Sequence, residues 1–109
     1  MRAPSFPKTN TLTGRALMRL LQGKKFTHRD FFSETASYRL SGYILNLRNR
    51  HGWQVEAIKE TSPTNDKGRK ATYARYYLEK DILKLAKAEL GAERVTNFIH
   101  AVQKFEAGE

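Results

Sequence analysis

Apolar residues recur at helical spacing through most of the chain. Leu12, Ala16, Leu17, Leu20 and Leu21 form one stripe and Gly23 follows it. The stripe predicts a first helix that starts at Asn10 or Thr11, either of which can cap it. Thr27 with Asp30 three positions on has the pattern of a capping box and opens a short second helix carrying Phe31 and Phe32. Residues 33–36, Ser-Glu-Thr-Ala, read as a brief connection. Leu40, Tyr43, Ile44 and Leu47 then gather on one face of a third helix spanning about 37–51. Its other faces carry Tyr38, Arg39, Ser41, Asn46, Arg48, Asn49 and Arg50, with Leu45 the one large apolar exception. Gly52 suits its end, and Arg48 and Arg50 in its last turn suit the helix dipole.

The period then changes. Residues 53–58, Trp-Gln-Val-Glu-Ala-Ile, alternate apolar and polar as a half-buried strand does. Residues 59–72 hold Pro63, Asn65, Asp66 and Gly68 and read as a turn or exposed loop. Residues 73–78 read as a second strand. Helical spacing returns over 81–90, is broken at Gly91, and resumes over 93–106 with the stripe Val95, Phe98, Ile99, Val102 and Phe105. Residues 1–9, with Pro4 and Pro7, read as a flexible arm. The expected organisation is therefore an arm at 1–9, a winged helix-turn-helix domain at 10–79 and a helical segment at 80–109. The class is α+β and mostly helical, with three helices, a two-stranded wing and C-terminal helices. The last stripe either packs on the core or makes a homodimer through 93–106.

Charge sharpens the picture. The 109 residues hold 20 Lys and Arg against 11 Asp and Glu, a formal net charge of +9. Residues 1–78 hold 15 basic and 5 acidic side chains, and residues 79–109 hold 5 and 6. A polyanion facing the first two-thirds of the chain is the natural partner, and double-stranded DNA is the foremost candidate.

Catalytic constellations are not apparent. His28, His51 and His100 are scattered, and with no Cys there is neither a disulfide nor a thiolate metal site. The serines lack a nucleophile motif and the glycines do not form a phosphate-cradling loop. The expectation is a non-enzymatic protein with no cofactor and no small-molecule ligand. No apolar run approaches the roughly 18 residues of a membrane span and the N-terminus lacks a secretory h-region, so a cytoplasmic protein is expected.

The run TLTGRALMRLLQGKKFTHRDFFSETASYRLSGYILNLRNRHGWQVEAI, within residues 10–60, resembles a small helix-turn-helix family common in phage and prophage proteins. The likeness lies in the leading helix ending in Gly23, the Thr27-His28 start, Ser37-Tyr38-Arg39-Leu40, and Leu47-Arg48 before Gly52-Trp53. It implies a prophage origin and DNA binding as a regulator or accessory factor. Independently, the outer face of the third helix supplies Ser37, Tyr38, Arg39, Gly42, Asn46, Asn49 and Arg50 for a major groove. Lys67, Arg69 and Lys70 on the wing, with Lys24, Lys25 and Arg29, are candidates for the phosphate backbone. The rival expectation is a winged-helix module that grips a host or phage protein; RNA binding is a third.

Overall fold

The computed structural model describes residues 4–63 and 70–108. Helix α1 (Leu12–Leu21) is capped by Thr11, whose hydroxyl accepts the Gly14 amide at 3.0 Å and donates to the Lys8 carbonyl at 2.7 Å. A two-residue strand, β1 (Phe26–Thr27), leads into α2 (His28–Thr35). The capping box forms as its pattern predicts: the Thr27 hydroxyl accepts the Asp30 amide while the Asp30 carboxylate accepts the Thr27 amide. The presumed connection at 33–36 is helical through Thr35, and Ala36 ends the helix in the left-handed region at φ 59°. That turn delays the next helix, so α3 runs Leu40–Asn49 rather than from Ser37.

After α3 the chain forms a hairpin of β2 (Glu56–Pro63) and β3 (Lys70–Tyr77), in register from Glu56↔Tyr77 to Pro63↔Lys70. Both strands reach into 59–72, which its sequence marks as loop. Backbone pairing continues there beyond the stretch where alternation shows it. Conversely, Trp53 and Val55 are buried but precede β2. Strand β1 pairs with the other edge of β3, giving an antiparallel sheet of order β1-β3-β2. Two helices follow, α4 (Lys80–Leu90) and α5 (Ala92–Glu106). The fold is α+β, with five helices and three strands among the described residues. No described helix is long and apolar enough to cross a membrane.

The core joins Leu17 and Leu20 of α1, Phe31 of α2, Leu40, Ile44 and Leu47 of α3, Trp53, and Val95, Phe98 and Val102 of α5. The α5 stripe thus packs within the chain, with Phe105 left 43% exposed at its end. Charges close the junction of α1, α2 and α5. The Arg19 side chain, 5% exposed, donates to Glu34 at 2.9 Å and to Glu106 at 2.8 Å, and Arg15 reaches the same Glu106 oxygen. Burial pushes the Glu106 carboxyl up, but hydrogen bonds from Arg19 and Arg15, with their charges, outweigh it and hold the group below the usual glutamate value.

Residues 4–9 are not a free arm. The Ser5 amide donates to the His51 carbonyl at 2.9 Å, and the Ser5 carbonyl accepts the Trp53 indole N–H at 2.7 Å. Phe6 stacks on Phe98 with ring centroids 4.9 Å apart and lies 6.1 Å from Trp53. Gly14 lets this segment cross the first turn of α1, since a Cβ there would stand 2.4 Å from the Lys8 carbonyl oxygen. The prolines suggest a loose segment, but Phe6 and the buried Pro7 supply the apolar surface that anchors it.

Candidate nucleic-acid interface

With Leu40, Ile44 and Leu47 turned inward, the opposite side of α3 centres on Gly42, Leu45 and Asn49, at 100° per residue. Gly42 and Asn49 are exposed, and so is Ser41 on the flank. Leu45 is 56% exposed. Beyond its chain neighbours and its own helix backbone, no described atom lies within 4 Å of the place a Gly42 Cβ would take, so close helix packing does not account for that glycine. Asn46 is half-buried at the margin, and its enclosed Oδ1 has no hydrogen-bond partner among the described residues. Of the two candidate asparagines, Asn49 is therefore the one presented to solvent.

Ser37, Tyr38 and Arg39 do not belong to the helix face assigned to them from sequence. Ser37 is half-buried in the turn, where its hydroxyl hydrogen-bonds the Tyr43 hydroxyl at 2.9 Å. Tyr38 is 72% exposed and stacks on Phe32, with centroids 3.9 Å apart and rings 18° from parallel. Arg39 occupies the N-cap of α3 without a side-chain cap bond, its side chain in solvent. Arg50 is the C-cap residue and is likewise exposed. These two cations thus stand at either end of a helix about 15 Å long.

Internal pairing separates the charges of this region. Asp30, Glu34, Glu60 and Glu106 pair with Arg15, Arg19 and Arg75, all of which tie elements together. Arg48 is also committed inward, donating to the Val55 carbonyl at 3.0 and 2.7 Å and so fixing the chain that leaves α3. Among the described residues no carboxylate pairs with Arg39, Arg50, Lys24, Lys25 or Arg29. The excess positive charge is thereby left on the outside.

Lys24 is exposed in the turn after α1. Lys25 and Arg29 lie elsewhere than on a bare backbone-facing surface: the Lys25 ammonium sits 4.9 Å from the Tyr77 ring centroid, and the Arg29 guanidinium 5.8 Å from that of Tyr73. These rings share the sheet face with Arg75, which also donates to the Lys25 carbonyl at 3.1 Å. Its hydrogen bond with Glu60 raises the Arg75 pKa further and keeps it charged. The result is a hairpin pinned to the start of α2. Lys67 and Arg69 lie outside the described residues, as does the Lys70 side chain, although Lys70 begins β3.

The sequence pattern thus finds α3 and its buried face, but misplaces three residues that precede the helix. It passes over Arg75, whose outward strand position is the available signal, and sets Leu45 aside as an exception although it stands at the centre of the exposed face. No three or more described His, Asp or Glu residues are grouped to hold a metal ion. The arrangement offers hydrogen-bond donors and acceptors on the exposed face of a helix, with cations at its ends that pair with no described carboxylate. The chain matches no protein-family model, no curated protein and no solved structure.

Proposed function

We propose that the protein binds double-stranded DNA as a winged helix-turn-helix, with α3 in the major groove and the β2–β3 hairpin as the wing on the backbone. The observation that carries this reading is the exposed face of α3, bare at Gly42 and polar at Asn49, with Arg39 and Arg50, which pair with no described carboxylate, at its ends. The order α1-β1-α2-α3-β2-β3 with sheet order β1-β3-β2 supports it, since a hairpin follows α3 directly. In this reading Arg39 forks onto guanine or a flanking phosphate, Asn49 meets adenine, and Lys24, Arg50 and the wing cations hold phosphates. The role is that of a cytoplasmic, non-enzymatic regulator or accessory factor, and its placement in a phage or prophage rests on the family resemblance.

Binding of a fluorescent random duplex, compared with single-stranded RNA at two salt concentrations, tests the proposal. Duplex should bind more tightly, and log affinity should fall with log salt by roughly 0.9 for each phosphate contacted. No duplex binding at low salt sinks it. The rival reading, a protein-docking face, draws on the exposure of Tyr38 and Leu45. It predicts indifference to both nucleic acids.

A further inference from the structure

Leu45 is the anomaly of the α3 face. It is more than half exposed at the centre of a surface otherwise made of glycine, serine and asparagine, and it takes no part in the buried core. Gly42, one turn before it, adds no side chain and has open space above it. Asn49 follows one turn later, also exposed. A helix approaching a surface over Gly42 therefore makes its first central contact through the Leu45 methyl groups, with the Asn49 amide beside them.

Base edges in the major groove offer one apolar group, the C5-methyl of thymine, and one base that matches a carboxamide bidentately, adenine through N6 and N7. We infer that Leu45 and Asn49 together read A·T pairs, Leu45 by packing on a thymine methyl and Asn49 by pairing with an adenine. Four residues of helix span about 6 Å, so the two contacts fall within roughly two base-pair steps. Leu45 is then a specificity-determining residue rather than a stray surface leucine. The inference rests on the duplex-binding reading above, and the test separates the two.

Duplexes are enriched from a random pool with the full chain and with Leu45→Ala, and the wild-type site is resynthesised with deoxyuridine replacing each thymine in turn. Uracil pairs as thymine does but lacks the methyl group. At one thymine the replacement should weaken wild-type binding about fourfold, the worth of burying one methyl group, and leave Leu45→Ala unaffected. Asn49→Ala should lose its preference for adenine within two steps of that thymine, by about 5- to 150-fold. Both altered side chains are exposed and neither belongs to the core, so the variants fold. An enriched site at which no thymine responds, or at which Leu45→Ala responds equally, overturns the inference and leaves duplex binding standing. Failure to enrich any duplex overturns both.

Discussion

Gly42→Ala separates the stability of α3 from its use. Glycine inside a helix is less favourable than alanine by roughly 0.5–1 kcal/mol, because it loses more backbone freedom on folding. Structural compensation is missing at this position: α3 begins two residues before it at Leu40 and runs on to Asn49, and beyond the helix's own backbone and the adjacent residues an added Cβ meets no described atom within 4 Å. Alanine should therefore raise the melting temperature by about 2–4 °C for a chain of this size. Gly14→Ala makes the same chemical change where the new Cβ falls 2.4 Å from the Lys8 carbonyl oxygen. There the gain in propensity is outweighed by a displaced backbone, at a net cost of roughly 1–3 kcal/mol. Thermal denaturation by circular dichroism and duplex titration on the same samples give both halves. Gly42→Ala should be more stable and bind less tightly, since the methyl group stands between α3 and the groove floor. A destabilised Gly42→Ala would refute the assignment of the exposed face. A stabilised variant with unchanged affinity would refute close approach at this turn.

Three further outcomes follow from other parts of the molecule. Glu106→Gln should cost roughly 2–3 kcal/mol at neutral pH, about 10 °C in melting temperature, by leaving Arg19 in a largely buried site with one fewer anion. Because the folded-state pKa of Glu106 is depressed, the stabilisation is present above the unfolded value and is lost as pH falls through the folded one. The gap between wild type and variant should therefore close in acid, and a gap independent of pH would show that the carboxylate charge is not what matters. Leu47→Ala should cost roughly 2–5 kcal/mol, as for a fully buried leucine, whereas Arg39→Ala should change stability by less than about 1 kcal/mol; equal shifts would refute the orientation of α3. Neutralising Lys67, Arg69 and Lys70 together should weaken binding to all duplexes alike and flatten the salt slope by about 2–3 units, and an unchanged slope would take the wing off the backbone.

The helices were legible because each buries a stripe whose period the sequence carries. Thr11 and Thr27 showed where two of them begin, since side-chain capping is a local interaction with a local signature. Nothing local marks β1: Phe26 and Thr27 are a strand only because Tyr76 and Arg75, some fifty positions away, supply the partner. The start of α3 was misplaced for a similar reason, since Ser37-Tyr38-Arg39 is compatible with a helix and is turned aside by Ala36 and by the Tyr38 stack on Phe32. The candidate site was legible as a helix and a charge imbalance. Which asparagine faces outward and which arginines are committed inward depend on partners that no spacing reveals.

Trp53 gives the molecule an optical property. It is the single tryptophan of the sequence and is 2% exposed. Its indole N–H is held by Ser5, and the neighbouring Phe6 ring is itself seated on Phe98 of α5. Three stretches remote in sequence therefore converge on one chromophore. If residues 4–8 lift away before the rest unfolds, the emission should move to the red while the helical signal is unchanged, reporting a local opening as distinct from global melting. The indole lies in the core rather than on the exposed face of α3, so a ligand on that face alters its emission only by reaching through the fold to the N-terminal clasp.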